Sequence, residues 1–188
     1  MFERVKEDNS DSIKKATSVL ESGGIIAYPT DTIYGFGCDA RNEKAIERLN
    51  NIKGRSAPMS VLYPSFQNVS SWIDLPSHEK ANVEKQIKPK TTLIVPVKSN
   101  VVSNMILGNG NTLGIRISNH PFCISIAHKY PSPITTTSVN RSDQGINHYL
   151  NHIKLSWSFQ MKLSYVLMPG LSKGKDQKYI NMKTCLGL

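Results

Sequence analysis

Helical and strand patterns alternate along most of this chain, and this alternation limits the fold more than any other feature of the sequence. Apolar residues recur at helical spacing in residues 10–22 and again in EKAIERLNNI, where Asn42 can cap the helix. Between the helices stand short runs rich in β-branched residues, namely GIIAYP, MSVLYP, TTLIVPV, TLGIRIS and PITTTSV. The alternation predicts an α/β fold, with one twisted sheet and flanking helices.

The rest of the chain fits a single domain. Further helices are predicted for SHEKANVEKQI, for FCISIAHKY and around residues 147–153, and a further strand for LSYVLM. With 188 residues and no repeat or linker, we assign 1–188 to one domain with a sizeable core. The charged N-terminus, MFERVKEDNSDSIKK, has no signal-peptide segment, and no run reaches the length of a membrane span, so we expect a cytoplasmic protein.

Charge and cysteine content narrow the classes of partner. A formal net charge of +9 favours anionic partners such as phosphates, nucleotides or RNA, although basic residues can also simply solvate a surface. The three cysteines, Cys38, Cys123 and Cys185, are far apart and form no C-x-x-C pair. We expect buried or inert thiols and neither a disulfide nor a zinc site.

The stretch YGFGCDA contains G-x-G-x-x-A, the phosphate-turn pattern of dinucleotide-binding enzymes, but the context excludes that function. The fingerprint needs its glycines directly after a strand and an acidic residue about 20 positions on. Here six residues, Pro29 to Tyr34, separate the strand from Gly35, and the later segment is the basic KGRSAP. GLSKGK likewise fails as a Walker A loop. His148 and His152 are spaced for one helix face, but with no third ligand nearby we expect no metal site made by the protein.

Polar residues that follow strands are the better candidates for a site. Thr30, Asp31 and Thr32 come directly after GIIAYP. Lys53 and Arg55 stand at i, i+2, and if Gly54 ends the helix they can face one anion. The alternative is an ordinary basic helix C-terminus that complements the helix dipole.

Two further strands carry groups that suit an anion. Arg116 lies inside an apolar strand, where a cation needs a buried acid or a ligand carboxylate or phosphate. Ser138 and Asn140 stand at i, i+2 where PITTTSVN ends, a spacing that also fits a strand followed by an Asx turn. Several such strand ends together predict a site for a phosphate-bearing ligand.

At this point the chain resembles a known family. GGIIAYPTDTIYGFGCDA, LNNIKGR, LGIRISNHP and PITTTSVN, in this order, are similar to the YrdC (TsaC-type) threonylcarbamoyl-AMP synthases from about residue 10 to the C-terminus. The resemblance implies a twisted mixed sheet with flanking helices and a basic concave cavity. It also implies synthesis of threonylcarbamoyl-AMP and pyrophosphate from L-threonine, bicarbonate and ATP, with Mg²⁺ entering with ATP. A partner complex would then transfer the threonylcarbamoyl group to adenosine-37 of tRNA.

The resemblance also implies roles for individual residues. Lys53 and Arg55 match the family's K-x-R and would be catalytic and bind ATP, Ser138 and Asn140 match its S-x-N, and Thr112 matches a further nucleotide contact. The implied threonine-binding residues are Thr30, Arg116 and Thr136, with Arg116 suited to clamp the carboxylate. The glycines after PTDTIY would form a bend beside the cavity.

Three departures from the family pattern are seen, and two other functions stay open. Met59 stands where the family usually has a polar residue, SVNRSDQG replaces the family's SAN-x-SG, and Lys178 stands where many members have a serine. The main alternative is a paralogue that binds RNA or nucleotide without making the adenylate, although intact K-x-R and S-x-N motifs favour the enzyme. A carbamoyl-transfer module of a hydrogenase maturation protein is disfavoured, because its zinc-finger and acylphosphatase segments are not seen.

Overall fold

The computed structural model describes residues 3–6, 10–54, 56–63, 69–88, 90–139, 165–168 and 178–181. Its strands are β1 (Glu3–Lys6), β2 (Ile26–Tyr28), β3 (Gly35–Gly37), β4 (Ser60–Leu62), β5 (Thr91–Pro96), β6 (Thr112–Arg116), β7 (Ile134–Ser138), β8 (Tyr165–Met168) and β9 (Lys178–Asn181). Its helices are α1 (Ser10–Glu21), α2 (Glu43–Lys53), α3 (Ser77–Gln86) and α4 (Pro121–Lys129), with a short 3-10 helix at Asn104–Ile106. Each helix and strand predicted between residues 10 and 139 is present, whereas the helix predicted at 147–153 lies outside the described residues.

The nine strands form one mixed sheet in the order β1-β8-β2-β3-β7-β4-β6-β5-β9. At its centre β4 runs parallel to β6 and antiparallel to β7. The predicted α/β class with a mixed sheet and flanking helices is therefore confirmed. No helix in the described part of the chain is long and apolar enough to cross a membrane.

Both ends of α2 follow from local sequence. The Asn42 side chain accepts a hydrogen bond from the Ala45 N–H at 3.1 Å, which satisfies one of the donors left free at a helix N-terminus. Gly54 adopts the left-handed conformation with φ 67°, which ends the helix. Lys53 is consequently the last helical residue, and the helix ends at Gly54 as the sequence indicated.

The glycine-rich stretch that was expected to form a bend is instead strand β3, which pairs antiparallel with both β2 and β7. A Cβ atom built on Gly37 would lie 2.7 Å from the Tyr28 ring and 2.8 Å from the Thr135 carbonyl oxygen. The glycine therefore permits close approach of neighbouring groups across the sheet. The expectation of a bend was wrong because glycine allows tight turns and close packing alike.

Side-chain alternation along the strands gives the sheet two different faces. One face packs against α2, and its apolar core includes Ala27, Phe36, Val61, Ile115 and Leu49. The opposite face packs against α1 and α4 over a smaller area that includes Ile26, Tyr28, Leu62, Ile134 and Phe122. The second face continues beyond these apolar residues into polar ones.

Candidate functional site

Three central strands present polar side chains on the face that α1 and α4 only partly cover. In the sheet register Ser60 lies between Gly114 on β6 and Thr136 on β7. The row formed by Arg116, Leu62 and Ile134 is buried, whereas Ser60 and Thr136 are half-buried. Alternation places six residues on this surface, which we call the polar face: Ser60, Thr112, Gly114, Arg116, Thr136 and Ser138.

At the centre of the polar face, Gly114 leaves room for the Ser60 side chain. A Cβ atom on Gly114 would lie 2.4 Å from the Ser60 hydroxyl oxygen and 3.2 Å from Thr92 Cγ2. Any larger residue at this position would collide with Ser60. Glycine is therefore required at position 114, inside β6, because the Ser60 side chain occupies the space that a Cβ atom would need.

Lys53 and Ser138, one residue from each of two separate motifs, contact each other at the end of β7. The Lys53 side chain is buried at 3% exposure, and its Nζ donates to the Ser138 carbonyl oxygen at 2.6 Å. The same Nζ lies 3.5 Å from the Ser138 hydroxyl oxygen. The structure thus brings the K-x-R lysine to the S-x-N serine, while Arg55 and Asn140 lie outside the described residues.

Thr30 and Thr136, from the predicted threonine-binding set, both lie close to Gly35. A Cβ atom on Gly35 would lie 3.4 Å from Thr136 Oγ1 and 3.5 Å from Thr30 Cγ2. The Thr30 hydroxyl donates to the Ile33 carbonyl oxygen at 2.6 Å and accepts the Thr32 N–H at 3.2 Å. Thr30 therefore shapes the loop after β2 and turns its methyl group toward Gly35.

Arg116 is almost completely buried, at 2% exposure, and has an acidic partner within the chain. Its Nη2 pairs with Asp31 and also donates to the Thr32 hydroxyl at 3.0 Å. Its Nε and Nη1 are buried and lack a hydrogen-bond partner among the described residues. The sequence left open whether Arg116 pairs with a buried acid or with an anionic ligand. The structure shows a buried acid, Asp31, while two donor nitrogens of Arg116 remain for a further partner.

Thr112 and Met59 lie apart from this group. Thr112 stands four residues from Arg116 along β6, which corresponds to about 13 Å. Its hydroxyl donates to the Asn109 carbonyl oxygen at 3.1 Å. Met59 packs in the apolar core on the α2 side of the sheet, so its departure from the family pattern does not reach the polar face. Lys178 begins β9, where its backbone is in register with Thr91.

Burial sets the protonation of the groups beneath the site. It raises the pKa of Tyr28 far above its ordinary value, with a smaller rise from Cys123, and the phenol donates to the Thr135 carbonyl oxygen at 3.2 Å. Burial also raises the pKa of Cys38 to about 12. Cys38 and Cys123 are buried free thiols, as predicted, and Cys185 lies outside the described residues.

Metal ions in proteins are held mainly by groups of acidic, histidine and cysteine side chains. No group of three such side chains that could hold an ion occurs within the described ranges. His148 and His152 lie outside those ranges.

Two residues important to the site were not assigned a role from the sequence. Asp31 is the partner of Arg116, although its place in PTDT directly after a strand was a usable signal. Ser60 lies at the centre of the polar face, and it shares a face with Leu62 by the i, i+2 spacing of MSVLYP. Neither contact could be deduced without the order of the strands.

Comparisons with known proteins agree with this fold and with the family that the sequence resembles. The model of the Sua5/YciO/YrdC family, described as telomere recombination, matches residues 18–179. A protein of Photobacterium profundum named threonylcarbamoyl-AMP synthase is 31% identical over 135 residues, which cover 69% of this chain and 72% of that protein.

Two solved structures share the fold. P. abyssi Sua5 complexed with L-threonine superposes with a TM-score of 0.83 and 25% identity, over 96% of this chain and 54% of that one, so this chain spans about half its length. E. coli YciO superposes with a TM-score of 0.81 and 19% identity, over 96% of this chain and 89% of that one.

Proposed function

The chain belongs to the Sua5/YciO/YrdC family, and we propose that it makes threonylcarbamoyl-AMP and pyrophosphate from L-threonine, bicarbonate and ATP. The observation that carries the proposal is the contact between Lys53 Nζ and the Ser138 carbonyl oxygen, in which a buried cation lies at the end of β7, where the polar face ends. Relatives named threonylcarbamoyl-AMP synthase support the same reaction.

The proposed chemistry needs charge compensation more than it needs a base. The threonine amine and carbon dioxide give a carbamate, which is already an anionic nucleophile and must approach the α-phosphate of ATP. Fixed cations lower the cost of bringing two anions together and stabilise the charge of the transition state. Lys53 would supply this charge together with Arg55, so both would act as catalytic, ATP-binding residues, joined on ATP by Ser138, Asn140 and Thr112.

Mg²⁺ would enter with ATP and offset the charge of its phosphates. ATP itself would hold the ion, and the hydroxyl oxygens of Thr136 and Ser138 on the polar face are of a type that contacts Mg²⁺ in phosphate-binding loops. The protein itself would hold the phosphates against Lys53 at the end of β7 and keep the carbamate on the adjoining polar face.

L-Threonine would bind on the polar face, near the loop that follows β2 and reaches Arg116. Thr30 and Thr136 flank Gly35 there, and Arg116 has unpaired donors suited to a carboxylate. Complex formation between P. abyssi Sua5 and L-threonine supports this ligand. The product would pass to a tRNA threonylcarbamoyl-transferase complex for modification of adenosine-37.

Pyrophosphate release tests the proposal. We expect release with ATP, Mg²⁺, bicarbonate and L-threonine, and only background release when threonine is omitted. Lys53→Met should lower turnover by at least about 100-fold, because it removes a charge aimed at the phosphates. Lys44→Met, on the exposed side of the same helix, is the matched control and should stay within about twofold.

A protein that binds nucleotide or RNA but releases no pyrophosphate would contradict the proposal. Binding to RNA through its phosphates would weaken steeply with salt and would need neither threonine nor bicarbonate.

A further inference from the structure

Arg116 is only half satisfied within the chain, and the pattern of its contacts is informative. Asp31 and Thr32 both bond to Nη2, whereas Nε and Nη1 are buried without partners among the described residues. A carboxylate that binds a guanidinium through both oxygens uses Nη2 together with either Nε or Nη1. The one nitrogen common to both arrangements is therefore held by Asp31 and Thr32.

The contacts of Asp31 explain why it reaches only that one nitrogen. Its Oδ2 accepts the backbone N–H of Lys90 at 3.2 Å, and its Oδ1 faces Arg116. Lys90 has a φ of 63°, a conformation that non-glycine residues seldom adopt, just before β5 begins. The carboxylate thus bridges the loop after β2 and the segment before β5, and each of its oxygens has a different donor.

A ligand carboxylate could gain a second hydrogen bond on Arg116 by displacing Asp31 Oδ1. That exchange would leave the Asp31 carboxylate beside another anion in a buried place, which is costly unless a cation arrives with the ligand. An α-amino acid brings such a cation, because its ammonium group is attached to the carbon that carries its carboxylate.

We propose that Asp31 is a specificity-determining residue for α-amino acids. It occupies Nη2 of Arg116 in the free protein and, once the ligand carboxylate has taken its place, pairs with the ammonium group of the bound amino acid. This pairing belongs to the binding step and ends when the amine loses its proton and takes up carbon dioxide. This inference rests on the proposed function, since it concerns the same threonine site. It adds a reason why the site accepts an amino acid and rejects a carboxylate that has no amine.

A comparison of two ligands on the unmodified protein tests this assignment. Calorimetric titration would compare L-threonine with 2,3-dihydroxybutanoate of matching configuration, in which a hydroxyl replaces the amine. We expect the hydroxy acid to bind at least about tenfold more weakly, because it leaves the displaced carboxylate of Asp31 without a partner. Equal binding of the two ligands would overturn the inference and leave the proposed function intact, whereas absence of threonine binding would refute both.

Substitutions then assign the discrimination to Asp31. Asp31→Asn should bring the ratio of the two dissociation constants to within about threefold of unity, since no displaced charge remains. Thr32→Val removes the other Nη2 partner without a change of charge and should keep the ratio. Retained discrimination in Asp31→Asn would overturn the assignment, and circular dichroism and thermal melting would show whether each variant is folded. If Asp31→Asn does not fold, the two-ligand comparison on the unmodified protein decides.

Discussion

The two glycines of β3 differ in the space around them, since a Cβ atom would clash at Gly37 but fit at Gly35. Alanine substitutions at both positions should therefore separate an effect on core packing from an effect on threonine binding. A Cβ atom on Gly37 would lie 2.7 Å from the Tyr28 ring, 2.8 Å from Ile134 Cγ2 and 2.8 Å from the Thr135 carbonyl oxygen. Contacts this short on three sides require the core to shift. Gly37→Ala should therefore lower the free energy of unfolding by about 1–3 kcal/mol.

Gly35→Ala is the matched control, since its Cβ atom would meet the Tyr28 ring, Thr136 and Thr30 at 3.4 to 3.5 Å, which is ordinary contact. Its stability should change by less than about 0.5 kcal/mol, but its new methyl group lies between two proposed threonine-binding residues and should weaken threonine binding. Thermal melting would measure stability, with a fall of roughly 2–12 °C expected for Gly37→Ala and almost none for Gly35→Ala. Equal melting temperatures for the two variants would refute the packing argument.

Three further predictions concern the side chains of single residues. Burial raises the pKa of the Cys38 thiol to about 12, so a thiol reagent at pH 8 should leave it unmodified until denaturant is added, and peptide mapping after labelling would detect any exception. The pKa of buried Tyr28 is higher in the folded than in the unfolded chain. The free energy that its neutral phenol contributes to folding is therefore complete below about pH 10 and is lost as the pH rises further. Urea midpoints should fall there, and less so in Tyr28→Phe; an equal fall in both proteins would count against this cause. Asn42→Ala removes the cap of α2 and should cost about 1 kcal/mol in chemical denaturation, whereas an unchanged midpoint would show that the cap is dispensable.

Local sequence signals predicted the elements that position Lys53. The apolar stripe of α2, the cap at Asn42 and the stop at Gly54 each act within a few residues, so the sequence carried enough information to place Lys53 at the end of a helix. The strand patterns of β6 and β7 were equally clear, because β-branched residues in short runs favour extended structure.

Contacts between distant segments could not be predicted in the same way. The pairing of Asp31 with Arg116 joins residues 85 positions apart, and nothing local in either segment selects the other. The G-F-G of β3 is compatible with a bend or with a closely packed strand, and the choice depends on Tyr28 and Thr135 in neighbouring strands. The arrangement of the site therefore depends on the order of the strands, which local patterns do not determine.

The identity of the product tests the central claim most directly. The protein would be incubated with ATP, Mg²⁺, L-threonine and ¹³C-bicarbonate, and the adenylates formed would be analysed by mass spectrometry. The account predicts threonylcarbamoyl-AMP that carries the ¹³C atom in its carbamoyl group, with little product from Lys53→Met. An unlabelled threonyl-adenylate, or no adenylate from folded protein, would contradict it.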